Sequence, residues 1–220
     1  MPLTNTELSF YDSNVLRLPG DKRKEYHQQV DRLVDELKKS IRDKTEIKIT
    51  KVVKAGSFAK HTILRKTSSD PVDVDVVFYV ADKDADEETL QSLNDTIFDL
   101  LVKIYPNKKV EDFELQRKAT TVNFIASGIS VDVVPVIQDD GADGYGWQYD
   151  IHSGSKMETC APCQIQFVRT RKDQDNHYRT LVRLGKKWRN HAELKALKSF
   201  AIELIIAKLL DTEGADGSIE

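Results

Sequence analysis

The sequence predicts an α+β fold, in which a short mixed sheet flanked by helices is followed by a second lobe of helices. Two observations lead to this prediction. Helical patterns alternate with β-branched runs up to about residue 147, and beyond it the pattern turns helical. The expected segments are an N-terminal helix packing across both lobes at 1–43, a core at 44–147 and a helical lobe at 148–220.

Composition sets the broad class. The chain has 220 residues, of which 40% are hydrophobic and 31% charged, so it can bury a substantial core and is not a disordered polymer. No apolar run approaches the roughly 18 residues that a membrane span needs, and the first ten residues lack a signal-peptide pattern. With only two cysteines, a disulfide scaffold is not expected. We therefore expect a cytoplasmic protein without membrane association.

The first long element is an amphipathic helix at about 22–42, for which Asp21 is the expected N-cap. A strand containing Ile47 and Ile49 follows and runs towards Gly56-Ser57. The apolar side chains that recur at helical spacing are Tyr26, Val30, Leu33, Val34, Leu37 and Ile41.

A buried strand is predicted at 72–80, after a loop at 68–71. The run is β-branched and aromatic apart from two aspartates. Because side chains alternate along a strand, Asp73 and Asp75 point to the same side. Two carboxylates on one face of an apolar strand suggest a divalent cation that neutralises both.

The rest of the core is predicted from simple patterns. An acidic connector at 82–88 leads into an amphipathic helix at 86–104. Two strands follow at 120–126 and 129–137, joined by a tight turn at Ser127-Gly128. A loop rich in Asp and Gly at 139–147 is the expected domain boundary, and helices are expected at about 175–190 and 199–211.

Three carboxylates and a Gly-Ser pair form the candidate catalytic site. Asp132 lies on the second buried strand, where it could converge with Asp73 and Asp75. Gly56 lets the backbone approach a polyphosphate closely, and Ser57 adds a hydroxyl. Together these residues supply what two-metal phosphoryl transfer requires.

Their order and spacing resemble the polymerase-β-type nucleotidyltransferase superfamily. Within it the chain is similar to the oligoadenylate-synthetase and cyclic GMP-AMP-synthase branch, and most of all to its bacterial members, the CD-NTases of anti-phage signalling. The resemblance covers about residues 20–211. The matching segments are 56–62, Asp73-Val74-Asp75, 131–135, 181–188 and 199–204.

The resemblance implies a nucleotidyltransferase palm and a set of site residues. Asp73, Asp75 and Asp132 are the implied catalytic residues and ligands of two Mg²⁺ ions, for which Mn²⁺ may substitute. The implied phosphate contacts are Gly56, Ser57, Lys186 and Ser199. Independently of the resemblance, Lys186 offers a compact positive charge and Ser199 opens an apolar helix, although each also fits a surface lysine and a simple N-cap.

The implied activity is template-independent joining of NTPs, ATP among them, into a cyclic or linear oligonucleotide second messenger with release of pyrophosphate. Operon effector or regulatory proteins are implied partners, and RNA is not a required one. Two alternatives stay open. The chain could be an RNA- or tRNA-tailing nucleotidyltransferase, or an inactive nucleotide- or RNA-binding module.

A basic segment distinguishes these alternatives. Residues 169–198 contain ten Lys or Arg and three Asp or Glu, within a chain whose net charge is −3. Helical spacing predicts that Arg179, Arg183 and Lys186 line or flank the nucleotide cleft. A solvated outer patch is expected to contain Arg169, Arg171 and Lys172.

Two further features complete the sequence. Cys160-Ala161-Pro162-Cys163 has C-x-x-C spacing and is expected to hold ordinary reduced cysteines, with a zinc site as the alternative. The second lobe is expected to be incomplete at its C-terminus. Similar proteins continue with further helices, and Gly217-Ser218-Ile219-Glu220 looks like the start of one.

Overall fold

The computed structural model describes residues 3–65, 72–81, 85–194 and 196–214. Its helices alternate with strands in the first part of the chain and follow one another in the last. The helices are α1 (Asn5–Tyr11), α2 (Gly20–Lys44), α3 (Gly56–Ala59), α4 (Glu87–Ile104), α5 (Ala161–Gln174), α6 (Tyr178–His191) and α7 (Ser199–Glu213). A π-helical turn at Asp12–Leu16 follows α1, and a 3₁₀ turn spans Val110–Asp112.

The strands form one mixed sheet in the order β1-β2-β5-β4-β3, and β6 and β7 extend it from β5. The pair β2 and β5 is parallel, whereas the other pairs are antiparallel. The strands are β1 (Lys48–Lys54), β2 (Val72–Ala81), β3 (Phe113–Leu115), β4 (Thr120–Phe124), β5 (Ile129–Gln138), β6 (Gly146–Asp150) and β7 (Ser155–Thr159).

The central strand β2 has two different faces, as alternation requires. Val77 and Tyr79 lie in a small cluster with Ala161 at the start of α5, and the aspartates of β2 share their face. The opposite face packs in the main core with α2 and α4. Its β2 members are Val72, Val74, Val76, Phe78 and Val80. The carboxylates therefore lie on the face that the main core does not cover.

The helices and strands predicted for the core are present, with some differences at their ends. Asp21 is not the N-cap of α2, because the helix already begins at Gly20 and its N-cap is Pro19. The predicted helix at 86–104 is α4, with the Asp86 side chain accepting from the Thr89 N–H at its start. The predicted loop at 68–71 and residues 82–84 of the connector lie outside the described residues.

The chain does not turn helical at residue 147. Strand β6 crosses that position and pairs with β5, and β7 continues the sheet to Thr159. The hairpin was missed because it is short and its flanking loops are rich in Gly, Asp and Ser. Within the part of the chain that the structure describes, no helix has the length and hydropathy needed to cross a bilayer.

Candidate active site

The parallel pairing of β2 with β5 brings the predicted carboxylates together. Asp75 is the register partner of Asp132, and Asp73 is the partner of Ser130, one step along the same face. All three therefore lie on neighbouring strands, on the face opposite the main core. Asp73 is exposed, and the other two are partly buried.

The electrostatics of this face disfavour three negative charges. Burial, with the nearby charges of Asp75 and Asp73, raises the pKa of Asp132 to about 6, although the Thr121 hydroxyl opposes this by donating to Asp132 Oδ1 at 2.6 Å. Burial likewise raises the pKa of Asp75, against the attraction of Lys60 and Lys186. A positive charge placed at this face would be stabilised by all three carboxylates.

The donor set fits a hard divalent cation, because such ions bind carboxylate oxygens. In the described residues, no group of three His, Cys, Asp or Glu side chains is already converged for metal binding. The crowding of like charges, and not a preformed cage, is the observation that supports a cation at Asp73, Asp75 and Asp132.

Gly56 places the end of β1 directly against Asp75. Its φ is +59°, and a Cβ at this position would lie 1.6 Å from Asp75 Oδ2. The neighbouring Ala55 N–H donates to the Asp75 carbonyl at 2.8 Å. Glycine is therefore required both for the left-handed backbone and for the space that the carboxylate occupies. Ser57 follows in the first turn of α3, so the Gly-Ser pair lies beside Asp75.

Lys186 is buried and has partners within the protein. Its ammonium donates to the Thr62 hydroxyl at 3.0 Å and to the Thr62 carbonyl at 3.2 Å, and it lies 3.4 Å from Glu203 Oε1. Burial lowers the pKa of Lys186 to about 8, although the Glu203 carboxylate counteracts this. Lys186 is thus not a surface lysine, and its charge also acts on Asp75.

Glu203 is a site residue that the sequence did not indicate. It is fully buried on α7. Its carboxylate accepts hydrogen bonds from Lys60 Nζ at 2.7 Å and from Thr62 Oγ1 at 3.2 Å. Lys60 and Thr62 belong to the segment after Gly56, so Glu203 and Lys186 join the helical lobe to that segment. The available signal was a lone glutamate between the apolar neighbours Ile202 and Leu204.

Glu203→Gln is expected to lower the free energy of unfolding by about 3–5 kcal/mol. The change leaves the buried ammonium groups of Lys60 and Lys186 without a counter-charge, which is the costly way to break a buried ion pair. Chemical denaturation measures the loss. Glu213→Gln, on the exposed end of the same helix, is the matched control, and equal stability of the two variants would contradict the prediction.

Ser199 is the first residue of α7, and Lys198 is the N-cap, so the hydroxyl is not a simple cap. Ser199 Oγ accepts from Arg189 Nη1 at 3.1 Å, and the same nitrogen donates to the Leu197 carbonyl. The described contacts therefore connect Ser199 to the end of α6. A phosphate-binding role for Ser199 stays a prediction.

The basic segment is divided differently from the prediction. Lys186 faces Thr62 and Glu203, whereas Arg183 faces the N-terminal turn, where it forms a bidentate pair with the buried Asp12. The outer patch is not uniform, because Arg171 pairs with Asp211 on α7. Lys172 also lines a cavity with Arg183, but its side chain is 41% exposed, as expected for the outer patch. The outer-patch prediction therefore fails only for Arg171, since spacing along a helix does not reveal which neighbours cover it.

The two cysteines differ from the expectation of reduced thiols. Cys160 and Cys163 are joined as a disulfide at the start of α5. Zinc ligation, the alternative, finds no support in the described residues, where no set of metal-binding side chains surrounds the pair.

Comparison with known proteins identifies the family. Residues 1–167 match the Second Messenger Oligonucleotide or Dinucleotide Synthetase domain. The chain is 61% identical over 220 residues to the CBASS oligonucleotide cyclase CdnC of Escherichia coli strain KTE188, covering all of this chain and 70% of the relative. It is 34% identical over 208 residues to the cyclic AMP-AMP-AMP synthase of E. coli strain MS 115-1, covering 92% of this chain and 63% of that one.

Solved structures give the same result. The chain is similar to E. coli MS115-1 CdnC with ATP, with a TM-score of 0.77, 32% identity, and coverage of 97% of this chain and 67% of that one. The structure of E. coli MS115-1 CdnC in complex with HORMA-deltaN is similar to the same degree. Its TM-score is 0.76 and its identity 32%, and the match covers 97% of this chain and 66% of that one. The chain thus spans about two thirds of these proteins. The resemblance, the α+β fold and the enzyme class predicted from the sequence are confirmed. The chain belongs to the bacterial CD-NTases through its Second Messenger Oligonucleotide or Dinucleotide Synthetase domain.

Proposed function

We propose that the chain carries the catalytic centre of a template-independent nucleotidyltransferase that joins NTPs into a cyclic oligonucleotide second messenger for anti-phage defence. The observation that carries the proposal is the set of three carboxylates on one face of β2 and β5, beside the backbone of Gly56 and Ser57. A polyphosphate needs this combination of close backbone approach and acidic side chains that can hold divalent cations.

Each residue has a distinct role in this proposal. Asp73, Asp75 and Asp132 would hold Mg²⁺, which supplies charge neutralisation for the triphosphate and a lower pKa for the attacking hydroxyl. Gly56 and Ser57 bind the donor phosphates through N–H groups and the hydroxyl. Two further residues assist from the helical lobe, and these are Lys186 and Ser199.

The buried lysine cluster, which consists of Lys60, Lys186 and Glu203, keeps the phosphate loop (residues 56–62) next to the helical lobe. Lys60 and Lys186 approach Glu203 from opposite lobes, so the loop after Gly56 and helix α7 are held together by one carboxylate. The positive charge of Lys186 also attracts the carboxylate of Asp75, which opposes the rise in the Asp75 pKa that burial causes. We therefore assign Lys186 two functions, which are orientation of the loop and charge stabilisation of the donor phosphates.

ATP is the proposed substrate, because one similar protein is named a cyclic AMP-AMP-AMP synthase and a similar structure was solved with ATP. The complex of a similar protein with HORMA-deltaN supports a regulatory protein as a partner. RNA is not needed in this scheme.

Incubation with each labelled NTP and Mg²⁺ or Mn²⁺, with and without RNA and with and without a HORMA-type partner, tests the proposal. Short products that resist phosphatase are expected, and mass spectrometry of a nuclease digest identifies their bases and linkages. Extended RNA would instead identify a tailing enzyme. No product under any condition would favour a binding module and contradict the proposal.

Lys186→Ala is expected to weaken binding of a non-hydrolysable ATP analogue by about 1.5–3 kcal/mol, the range for a hydrogen bond to a charged group. Ser199→Ala should have a smaller effect. Because the pKa of Lys186 is lowered to about 8, the wild-type affinity should fall as the pH rises through that value and Lys186 loses its proton. Calorimetric titration across this range measures both effects.

The neighbouring Lys187→Ala is the matched control, since it removes the same charge from the same helix outside the buried cluster. An analogue affinity that is equal in the Lys186 and Lys187 variants, or that does not change with pH near 8, would remove Lys186 from the phosphate site.

A further inference from the structure

A cationic cavity lies between the start of α2, the segment after α3 and the helices α5 and α6. Its volume is about 440 Å³. Its lining includes neither the three site carboxylates nor the Gly-Ser pair, so in the described structure it is separate from the candidate active site. His61 also lines the cavity, and the cationic groups of the lining are Arg17, Arg23, Lys172, Arg179 and Arg183.

The positive charge of the cavity is only partly compensated. Asp12 is shared by Arg17 and Arg183, and Lys172 Nζ lies 3.6 Å from Asp173 Oδ1. Within the described chain, neither Arg23 nor Arg179 has a carboxylate within 4.0 Å. Arg23 instead stacks on Phe58 and donates to its carbonyl. An excess of guanidinium groups around a recess is an arrangement that attracts anions.

Arg179 provides the most specific sign of an anion site. Its Nε is buried and has no hydrogen-bond partner among the described residues. Buried donors are almost always paired in folded proteins, because an unpaired one costs free energy. Arg179 lines the cavity, so a phosphate oxygen there would accept from this donor once the guanidinium turns towards it.

The titration behaviour of the lining agrees with crowded positive charge. Burial and the charge of Arg179 lower the pKa of Arg23, and burial and the charge of Arg183 lower the pKa of Arg179. Burial and these arginines lower the pKa of His61 to about 4. A bound anion would relieve this repulsion.

Two helix starts also adjoin the cavity. Gly20, the first residue of α2, is part of the lining, and α6 begins at Tyr178, between the lining residues Asn176 and Arg179. Neither helix has an N-cap side chain that accepts a hydrogen bond from its first turn. Helix N-termini favour negative charge, so they add to the field of the arginines.

We propose that this cavity binds a small molecule with two or more phosphate groups, at a regulatory site separate from the nucleotide site. The volume falls in the range of small-ligand pockets, roughly 300–1,000 Å³. Several guanidinium groups around one recess match the oxygens of adjacent phosphates. The recessed shape favours a small molecule over the backbone of a long nucleic acid.

The site is connected to the phosphate loop. Arg183 donates to the His61 carbonyl at 2.7 Å, and His61 lies at the end of the segment that begins at Gly56. Arg23 holds the same segment through Phe58. An anion that draws Arg23 and Arg183 towards the cavity therefore acts on the loop that contacts the donor nucleotide, so occupancy should change turnover without changing the catalytic groups.

Calorimetric titration of the 220-residue chain with inorganic pyrophosphate in EDTA, for wild type and for Lys186→Ala, tests the site. The pocket variant is Lys172→Gln with Arg179→Gln. The control, Arg169→Gln with Lys187→Gln, makes the same changes on the same two helices outside the lining. The pocket variant should lose affinity for pyrophosphate about tenfold or more, as expected for lost charged hydrogen bonds, and the control should bind as wild type.

Other outcomes would overturn the proposal. Equal losses in both variants would indicate a general charge effect, and loss of pyrophosphate binding in Lys186→Ala would place it in the nucleotide site. Citrate binding as tightly as pyrophosphate would exclude selectivity for phosphate. Binding of a short DNA duplex but not of pyrophosphate would make the face a nucleic-acid surface. Because each measurement is a binding assay, the site can fail while the proposed activity stands.

Discussion

Asp75→Asn and Asp132→Asn are each expected to reduce nucleotidyl transfer at least about 100-fold, the scale on which loss of one preorganised electrostatic contact acts. The substitutions keep the side-chain volume and remove the negative charge that a divalent cation needs. Product formation from labelled ATP with Mg²⁺ measures the effect. Asp140→Asn, at an exposed position after β5, is the control for removal of one carboxylate.

The same variants should be more stable than wild type when no metal is present. The ordinary pKa of an aspartate, 3.8, is raised to about 6 for Asp132 in the folded protein. Ionisation of Asp132 therefore destabilises the fold as the pH rises above 3.8, and the effect is complete above about pH 6, where it is on the order of 3 kcal/mol. Asparagine removes this cost.

Thermal unfolding with EDTA should show a higher melting temperature for Asp132→Asn at neutral pH, and adding Mg²⁺ should stabilise wild type more than the variant. Full turnover in either aspartate variant would contradict the catalytic assignment. A melting temperature that falls in EDTA would contradict the electrostatic account but leave the catalytic one standing.

Gly56→Ala should also remove nearly all activity. The new Cβ would lie 1.6 Å from Asp75 Oδ2, so either the carboxylate or the loop must move. In addition, alanine at a φ of +59° adds about 1–3 kcal/mol of backbone strain. Activity with ATP and the free energy of unfolding should therefore both fall.

Gly214→Ala separates these two effects. Gly214 has a similar φ of +73° but no atom within 4 Å of its ideal Cβ, so this variant reports the strain without the collision. We expect a modest loss of stability and wild-type activity. If Gly56→Ala behaves in the same way, the close approach of Gly56 to Asp75 is not needed for catalysis.

The acidic part of the site could be predicted from the sequence because it depends on local rules. Alternation along a strand puts Asp73 and Asp75 on one face, whichever strand lies beside them. Their meeting with Asp132 needed one more fact, the parallel register of β2 with β5. That register depends on how the chain returns through α4 and β4, and local sequence patterns do not predict this return.

The lysine cluster shows where such reasoning ends. The helical pattern of α6 predicted which face carries Lys186. It did not predict that Glu203 on the next helix would neutralise the charge of Lys186. Nor did it indicate that Lys60 would share the same carboxylate. Ion pairs between distant segments are decided by how helices cross, and the sequence offers only a charged residue in an apolar run. The hairpin of β6 and β7 was missed for a similar reason, since its pairing with β5 is a tertiary contact.

The pairing of Asp12 with Arg183 has a consequence for how the protein is made. The two residues are separated by 171 positions, and Asp12 is only 1% exposed in the finished fold. Translation proceeds at about 5–20 residues per second, so the N-terminal turn waits about 10–30 seconds for its partner. This turn therefore docks late, and proteins that bind nascent chains have that interval in which to shield it.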